Sequence, residues 1–452
     1  MESPTQVLAS FIADIRYDNI PADAVEKAKS VFLDTLGAAI AGSETKEGKI
    51  AANLARKISG KPESVLIASE IRVDCLNAAL FNGIMAHALE LDDGNRYAMG
   101  HPGVNVIPAV LALGEQKKIS GKDAIAAIVA GYEAFGRIAA AGNPSHYKRG
   151  FHTTGTCGAF AAAAAAGNIL GFDALQMIQN LGVAGSQCAG LFAFMSNGAM
   201  TKVLHPGKAA QSGILSAYLI EEGFTGPDTV LEHKQGFYSG YADNFDPARI
   251  TSGLGDRLEI LNTYTKYHAA CRHIHPAVDA ALSITKENDI LPENVGSVSV
   301  RTYEVAAKLV AGKEISTPLS GKMSLPFCIG AAIVDGQAGL AQFAEDKLKD
   351  PVLLNLMKKV DIKIDDKLDS MVPDHRGARV EIEMNDGRKY EKEVLDAMGE
   401  PENPGTMDDQ LNKFKDCAAG IFDSGKIDEL IDRIQHLEDT ADLTQVAELL
   451  KR

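Results

Sequence analysis

Hydrophobic and polar positions alternate with a helical period through about the first 255 residues. Beginning at Pro21, apolar residues fall at positions 24, 25, 28, 31, 32 and 36, which predicts an amphipathic helix with proline in its first turn. The same reading predicts helices from Val73 to Ala88, Pro108 to Lys117, Gly121 to Ala140, Thr153 to Gly167 and Lys208 to Gly223. Alanine and glycine dominate these segments, so the helices should approach one another closely and bury most of their surface.

After Ile260 the period changes. Val295 to Tyr303 and Val360 to Asp365 alternate as strands do, and Arg379 to Met384, Asn385-Asp386-Gly387 and Arg388 to Val394 read as a hairpin. Helices over Pro276 to Glu287 and Leu325 to Ile333 intervene, giving an α+β unit. From Met407 the pattern is helical again and could rejoin the first bundle. The predicted division is 1–259 helical, 260–403 α+β and 404–452 helical.

Composition narrows the function classes. The 452 residues carry 60 Asp plus Glu against 45 Lys plus Arg, a net charge of −15 without a basic tail, which disfavours nucleic acid as a partner. The acids are unevenly placed: from Ala134 to Ile220 only Asp173 is acidic, against Arg137, Lys148, Arg149, Lys202 and Lys208. Such a stretch is buried, or binds anions, or both. The beginning Met1-Glu2-Ser3-Pro4 has no leader pattern, and the longest small apolar run, Ala159 to Ala166, is far short of the ~20 residues a membrane helix needs. Six scattered cysteines without CxxC spacing read as free thiols. The expectation is a cytoplasmic protein without a membrane partner. Glycine-rich dinucleotide and phosphate loops, GxSxG and HExxH are missing from the sequence.

Four segments carry chemistry. His87, Glu90, Asp92 and Asp93 close a helix before the Gly100-His101-Pro102 loop, which offers acid/base groups or a solvated helix end. Asn143 to Thr154 gathers His146, Tyr147, Lys148, Arg149 and His152 just before an alanine-rich helix that Thr153 or Thr154 could cap. Lys202, near His205, is the only charge between Asp173 and Lys208, and a lysine in sequence suited to burial needs carboxylate partners from protein or ligand. Lys266, Cys271, Arg272, His273 and His275 lie in an acid-free run; zinc ligation there lacks a fourth ligand at recognisable spacing, and a Cys–His nucleophile lacks an orienting group. Cationic segments from distant parts of an acidic chain fit a multiply anionic small molecule, and His, Tyr and Lys suit proton abstraction beside a carboxylate.

The run Asn82 to Asp93 (NGIMAHALELDD) with His101-Pro102, then Gly150-Phe151-His152, then Thr201-Lys202-x-x-His205-x-Gly207-x-Ala209-Ala210 resembles the MmgE/PrpD family. Lys266, Cys271-x-x-x-His275 and Gly321 to Phe327 (GKMSLPF) extend the resemblance, which covers most of the chain. It implies a mainly α fold, a large all-helical domain formed by both chain ends with an inserted smaller α+β lid, and an active site between them. It further implies a homodimeric enzyme without cofactor or metal. Carried over, Glu90 matches the family's acidic position, His101 the loop histidine, His152 the Gly-Phe-His histidine, Lys202 the Thr-Lys lysine, Lys266 a lid lysine and Tyr147 a proposed acid/base tyrosine.

Within the family, Cys271 and His275 are shared with iminodisuccinate epimerase, whereas cis-aconitate decarboxylase has His in place of Cys271 and 2-methylcitrate dehydratase differs throughout that string. The expected reaction is therefore epimerase-like proton abstraction α to a carboxylate of a small di- or tricarboxylate. Its alternatives are a dehydratase-like or decarboxylase-like lyase, or a protein that only binds polycarboxylates. Lys266, Tyr147, His152 and His101 are the expected catalytic groups, and Glu90, Asp93, Lys202, His205, Arg272, Cys271 and His275 the expected substrate contacts.

Overall fold

Small side chains set the spacing of the helices in the first part of the chain. In the computed structural model, which describes residues 3–58 and 60–452, every residue from Ala159 to Ala166 is buried. These alanines lie in the helix Thr153–Ile169, which packs against Thr201–Glu221, Gly121–Gly142 and Gly103–Lys117. A methyl group on Gly213 would collide with Ala162, and one on Gly207 with the carbonyl oxygen of Leu80 in the helix Cys75–His87. Those two glycines therefore let the helix Thr201–Glu221 lie against two neighbours at backbone distance.

The chain is mainly helical and divides into two compact units. The first takes the chain up to Tyr264 and again from Thr406 to Arg452, and the second is Thr265–Gly405. These breaks fall a few residues beyond the 260 and 404 expected from the pattern. The reason is local: Ile260 is buried in the first unit's core, and Thr263–Tyr264 pairs antiparallel with Gly94–Asn95. The C-terminal helix Met407–Ala418 packs on Ala22–Ser43 within that unit. The helix Gly121–Gly142 is long and apolar enough to cross a membrane, but it is almost wholly enclosed in this core. The leader reading at Met1 and Glu2 lies outside the described residues.

Two helices begin earlier than the pattern suggests, at Gly103 and Thr201. In each the misleading signal is a proline, Pro108 or Pro206, inside the helix. Proline there removes one backbone hydrogen bond, and burial of both rings in the bundle offsets the loss. The consequence is functional, because Lys202 and His205 fall in the opening turns of a helix.

In the second unit a four-stranded sheet runs in the order Val360–Ile364, Val295–Thr302, Ala378–Met384, Lys389–Val394. The first pair is parallel and the others antiparallel. Strict alternation of burial along Ala378–Met384 turns Val380 and Ile382 inward, where the helix His275–Asn288 covers the sheet. The hairpin turn uses Gly387 at φ +86°.

Candidate active site

The histidine loop is built where the helix Cys75–His87 ends. Glu90 takes φ +56°, a left-handed conformation that costs a non-glycine residue about 1–2 kcal/mol. The turn it makes is held from below: Lys413 Nζ donates to the carbonyl of Leu91 at 2.8 Å and to Asp34 Oδ1 at 2.5 Å. Asp93 is fully enclosed, with Gly103 N–H donating to Oδ1 at 3.0 Å and Tyr132 Oη donating to Oδ2 at 2.5 Å. Asn95 then bridges Gly100, and His101 follows with its Nδ1 2.5 Å from the Asp93 carbonyl and its backbone N–H on Thr154 Oγ1. A carbonyl oxygen only accepts, so His101 Nδ1 carries the hydrogen. The His101 side chain is 16% exposed.

The second histidine group comes from two helix starts. His152 precedes Thr153–Ile169 and lies 2.9 Å, Nδ1 to Nδ1, from His205. The expected threonine cap is not made: Thr154 Oγ1 instead receives His101 N–H, and Asn143 Nδ2 donates to Thr153 Oγ1. Lys202, one turn before His205, pairs with Glu90, both side chains being mostly covered. His87 stacks on His152 with centroids 5.9 Å apart and stands 5.1 Å from the His101 ring. Phe192 and Phe194 wall the other side of His152 at 5.3 and 5.6 Å, and Tyr147 meets Phe192 edge-on at 4.5 Å. The first unit thus brings Tyr147, His152, His205, Lys202, Glu90 and His101 into one neighbourhood.

Burial sets the protonation states. It holds His152 well below the ordinary imidazole range, reinforced by His87, Lys202 and His205, and it pushes His205 down to about 4, helped by His87 and Lys202. The pair therefore shares one Nδ1 hydrogen between two neutral rings. Burial also pushes Asp93 up to about 7; the Tyr132 hydrogen bond opposes this, and Asp34 and Asp92 add to it. A carboxyl raised in the folded state binds its proton more tightly than in the unfolded chain. Stability from Asp93 is therefore present in acid and lost as pH rises toward 7. The stability advantage of wild type over Asp93→Asn should shrink by about 2 kcal/mol between pH 5 and pH 8, read from urea unfolding. The buried histidines give the opposite slope below pH 6.5 and cancel in that comparison. An advantage that stays constant would show that Asp93 does not titrate.

In the second unit the expected site residues form a tightly bonded cluster of their own. Arg272 Nε reaches Glu400 at 3.1 Å, while its terminal nitrogens donate to the carbonyls of Thr265, Met398 and Ala397 and to His275 Nδ1 at 3.0 Å. His275 is fully buried, with Nε2 donating to the Ala270 carbonyl. Burial, then Arg272 and His268, hold it well below the imidazole range. Lys266 is buried at 1% exposure, whereas Cys271 is half-buried with its backbone N–H on the Lys322 carbonyl.

Three of the expected substrate contacts also hold the chain. Asp93 has both carboxyl oxygens bonded within the first unit, and Arg272 and His275 bond within the second. Of the neighbouring sequence signals, His146 is a packing residue on Thr156 Oγ1 at 2.8 Å. Sequence reading missed Tyr132, Asp34 and Lys413, which shape the loop from behind. Asp34 had a signal, being the only charge between Val31 and Gly42, whereas Lys413 looks like any lysine of an amphipathic helix. Among the described residues no group of three or more His, Cys, Asp or Glu side chains is arranged to hold a metal ion.

Comparison with known proteins covers both units. Residues 6–250 match the MmgE/PrpD N-terminal domain, and residues 268–439 the MmgE/PrpD C-terminal domain. The chain is similar to a cis-aconitate decarboxylase of Aspergillus terreus (strain NIH 2624 / FGSC A1156), 28% identical over 471 residues that span 99% of this chain and 95% of that protein. It is likewise similar to the cis-aconitate decarboxylase-like protein oryM of Aspergillus oryzae, 27% identical over 99% of this chain and 97% of that protein. Against the Homo sapiens cis-aconitate decarboxylase it is 26% identical over 100% of this chain and 95% of the relative.

Proposed function

This chain belongs to the MmgE/PrpD family, and on that premise we propose that it is a lyase that removes CO2 from a small unsaturated tricarboxylate of the cis-aconitate kind. The observation that supports this most is the convergence of His101, His152, His205 and Lys202 in the first unit, in a chain whose relatives over nearly its whole length are named cis-aconitate decarboxylases. The epimerase reading rested on Cys271, His275, Tyr147 and Lys266. It gives way because the full-length relatives carry the lyase name and because His275 is engaged inside its own unit.

Losing CO2 leaves an electron pair that must be stabilised and then protonated. The six-carbon substrate breaks one C–C bond, the pair moves through the adjacent double bond, and one proton from solvent completes a five-carbon unsaturated dicarboxylate. Lys202 and the opening turn of its helix favour the substrate's retained carboxylates and the developing charge. The neutral His152–His205 pair can donate a hydrogen bond without adding a full charge. His101, once protonated from solvent to the imidazolium, donates that proton from Nε2, and Tyr147 is a second candidate acid. Phe192 and Phe194 offer the departing carboxylate an apolar wall, which favours neutral CO2 over the anion. Lys266 and Cys271 of the second unit are proposed carboxylate contacts, and a homodimer that requires neither cofactor nor metal is part of the proposal.

NMR in deuterated water tests the reading. With cis-aconitate the expected result is release of CO2 and one deuterium in the five-carbon product. Deuterium exchange without CO2 loss on iminodisuccinate would instead favour the epimerase. Water loss from methylcitrate would favour the hydro-lyase, and no turnover of any of them would sink the enzyme reading.

A further inference from the structure

Two fully buried side chains without a part in the proposed reaction, His87 and Asp92, meet behind His101. Asp92 Oδ2 lies 2.9 Å from His87 Nδ1 and 3.1 Å from His101 Nδ1. We propose that Asp92 is a positioning residue that bridges the two imidazoles through one carboxylate oxygen, keeping a hydrogen on each Nδ1 and leaving His101 Nε2 as the nitrogen that takes up a proton from solvent and then donates it. The inference deepens the decarboxylase reading and rests on it for the role given to His101.

Geometry carries the idea. A single oxygen that accepts from both rings forces the two Nδ1–H bonds to converge, so neither ring can flip without breaking a buried bond. The Asp93 carbonyl adds a second acceptor for His101 Nδ1, and it too demands the hydrogen there. His87 passes the constraint on, since its ring stacks on His152 at 27°. In the proton transfer, the hydrogen leaves Nε2 of the His101 imidazolium for carbon, and Asp92 remains ionised throughout. Burial alone would raise the Asp92 carboxyl, yet the adjoining His87 and His101 hold it well below the usual carboxylate range. Other charged or titratable groups near this pair are Asp34, Asp93 and Tyr132, together with Lys202, His152 and His205 near His87.

The test combines a variant with a measurement on the intact wild-type protein. Asp92→Asn keeps the shape and removes the charge. It should lower kcat roughly 10²–10⁴-fold with KM changed less than about threefold. Independently, nitrogen-15 spectra of wild-type protein labelled in histidine should show Nδ1–H tautomers for His87 and His101 near neutral pH. An Nε2–H tautomer at either residue, or an unchanged kcat in Asp92→Asn, overturns the bridge. If wild type fails to turn over cis-aconitate while both tautomers are as expected, the function reading falls and the bridge stands. The spectra need neither substrate nor a folded variant, so the two failures separate cleanly.

Discussion

Lys202→Met is expected to cut kcat/KM toward cis-aconitate roughly a thousandfold while leaving the fold intact, as judged by circular dichroism and thermal melting. Methionine keeps the length and apolar stem of lysine and removes only the ammonium. That ammonium sits at the opening of the helix Thr201–Glu221, against Glu90 and one turn from His205. Loss of the charge should act on the substrate, whose carboxylates have few other cations in this unit's histidine group. A competing account makes Lys202 merely the neutraliser of Glu90, since an unpaired buried carboxylate would repel any polyanion. The double variant Lys202→Met/Glu90→Gln separates the two. If Lys202 acts on substrate, the double variant stays as poor as the single. If it only silences Glu90, most activity returns. Turnover within about threefold of wild type in Lys202→Met would refute both.

The sequence made the division of the chain legible because the hydrophobic period itself changes, from helical before Ile260 to alternating at Val295 and Arg379. It also singled out His101, His152 and Lys202 as candidates, Lys202 because it is the only charge between Asp173 and Lys208. What it hid was which polar groups face a ligand and which face the protein. Asp93 and Arg272 have the right chemistry for substrate contacts, but their bonds go to distant partners such as Tyr132, Glu400 and the carbonyls of Ala397 and Met398. No local pattern encodes partners that lie 39 to 128 residues away. The same limit applied to the two prolines. Pro108 and Pro206 signal helix starts by local rule, and only tertiary packing shows that the helices run through them. Asp92 is a third case: between Glu90 and Asp93 it reads as one more acid at a helix end, whereas the fold makes it the acceptor for two histidines.

Lys413→Met is expected to destabilise the first unit by about 3–5 kcal/mol. Lys413 belongs to the C-terminal helix Met407–Ala418 and is almost fully covered, as is its partner Asp34 from the helix Ala22–Ser43. The pair joins parts of the chain 379 residues apart, and the same ammonium donates to Leu91 in the turn that carries Glu90 and Asp92. Removing it leaves a buried carboxylate without its counter-charge and a turn without its support. For a unit of this size such a loss should lower the unfolding midpoint on the order of 10 °C. Replacing both partners, Lys413→Met with Asp34→Leu, removes the orphaned charge and should recover most of that stability. Turnover should not recover with it, because Leu91 still lacks its donor and the histidine loop its anchor. Recovery of both would show that Lys413 serves the fold alone. Failure of the double variant to regain stability would show that the pair, rather than the orphaned charge, is what the core requires.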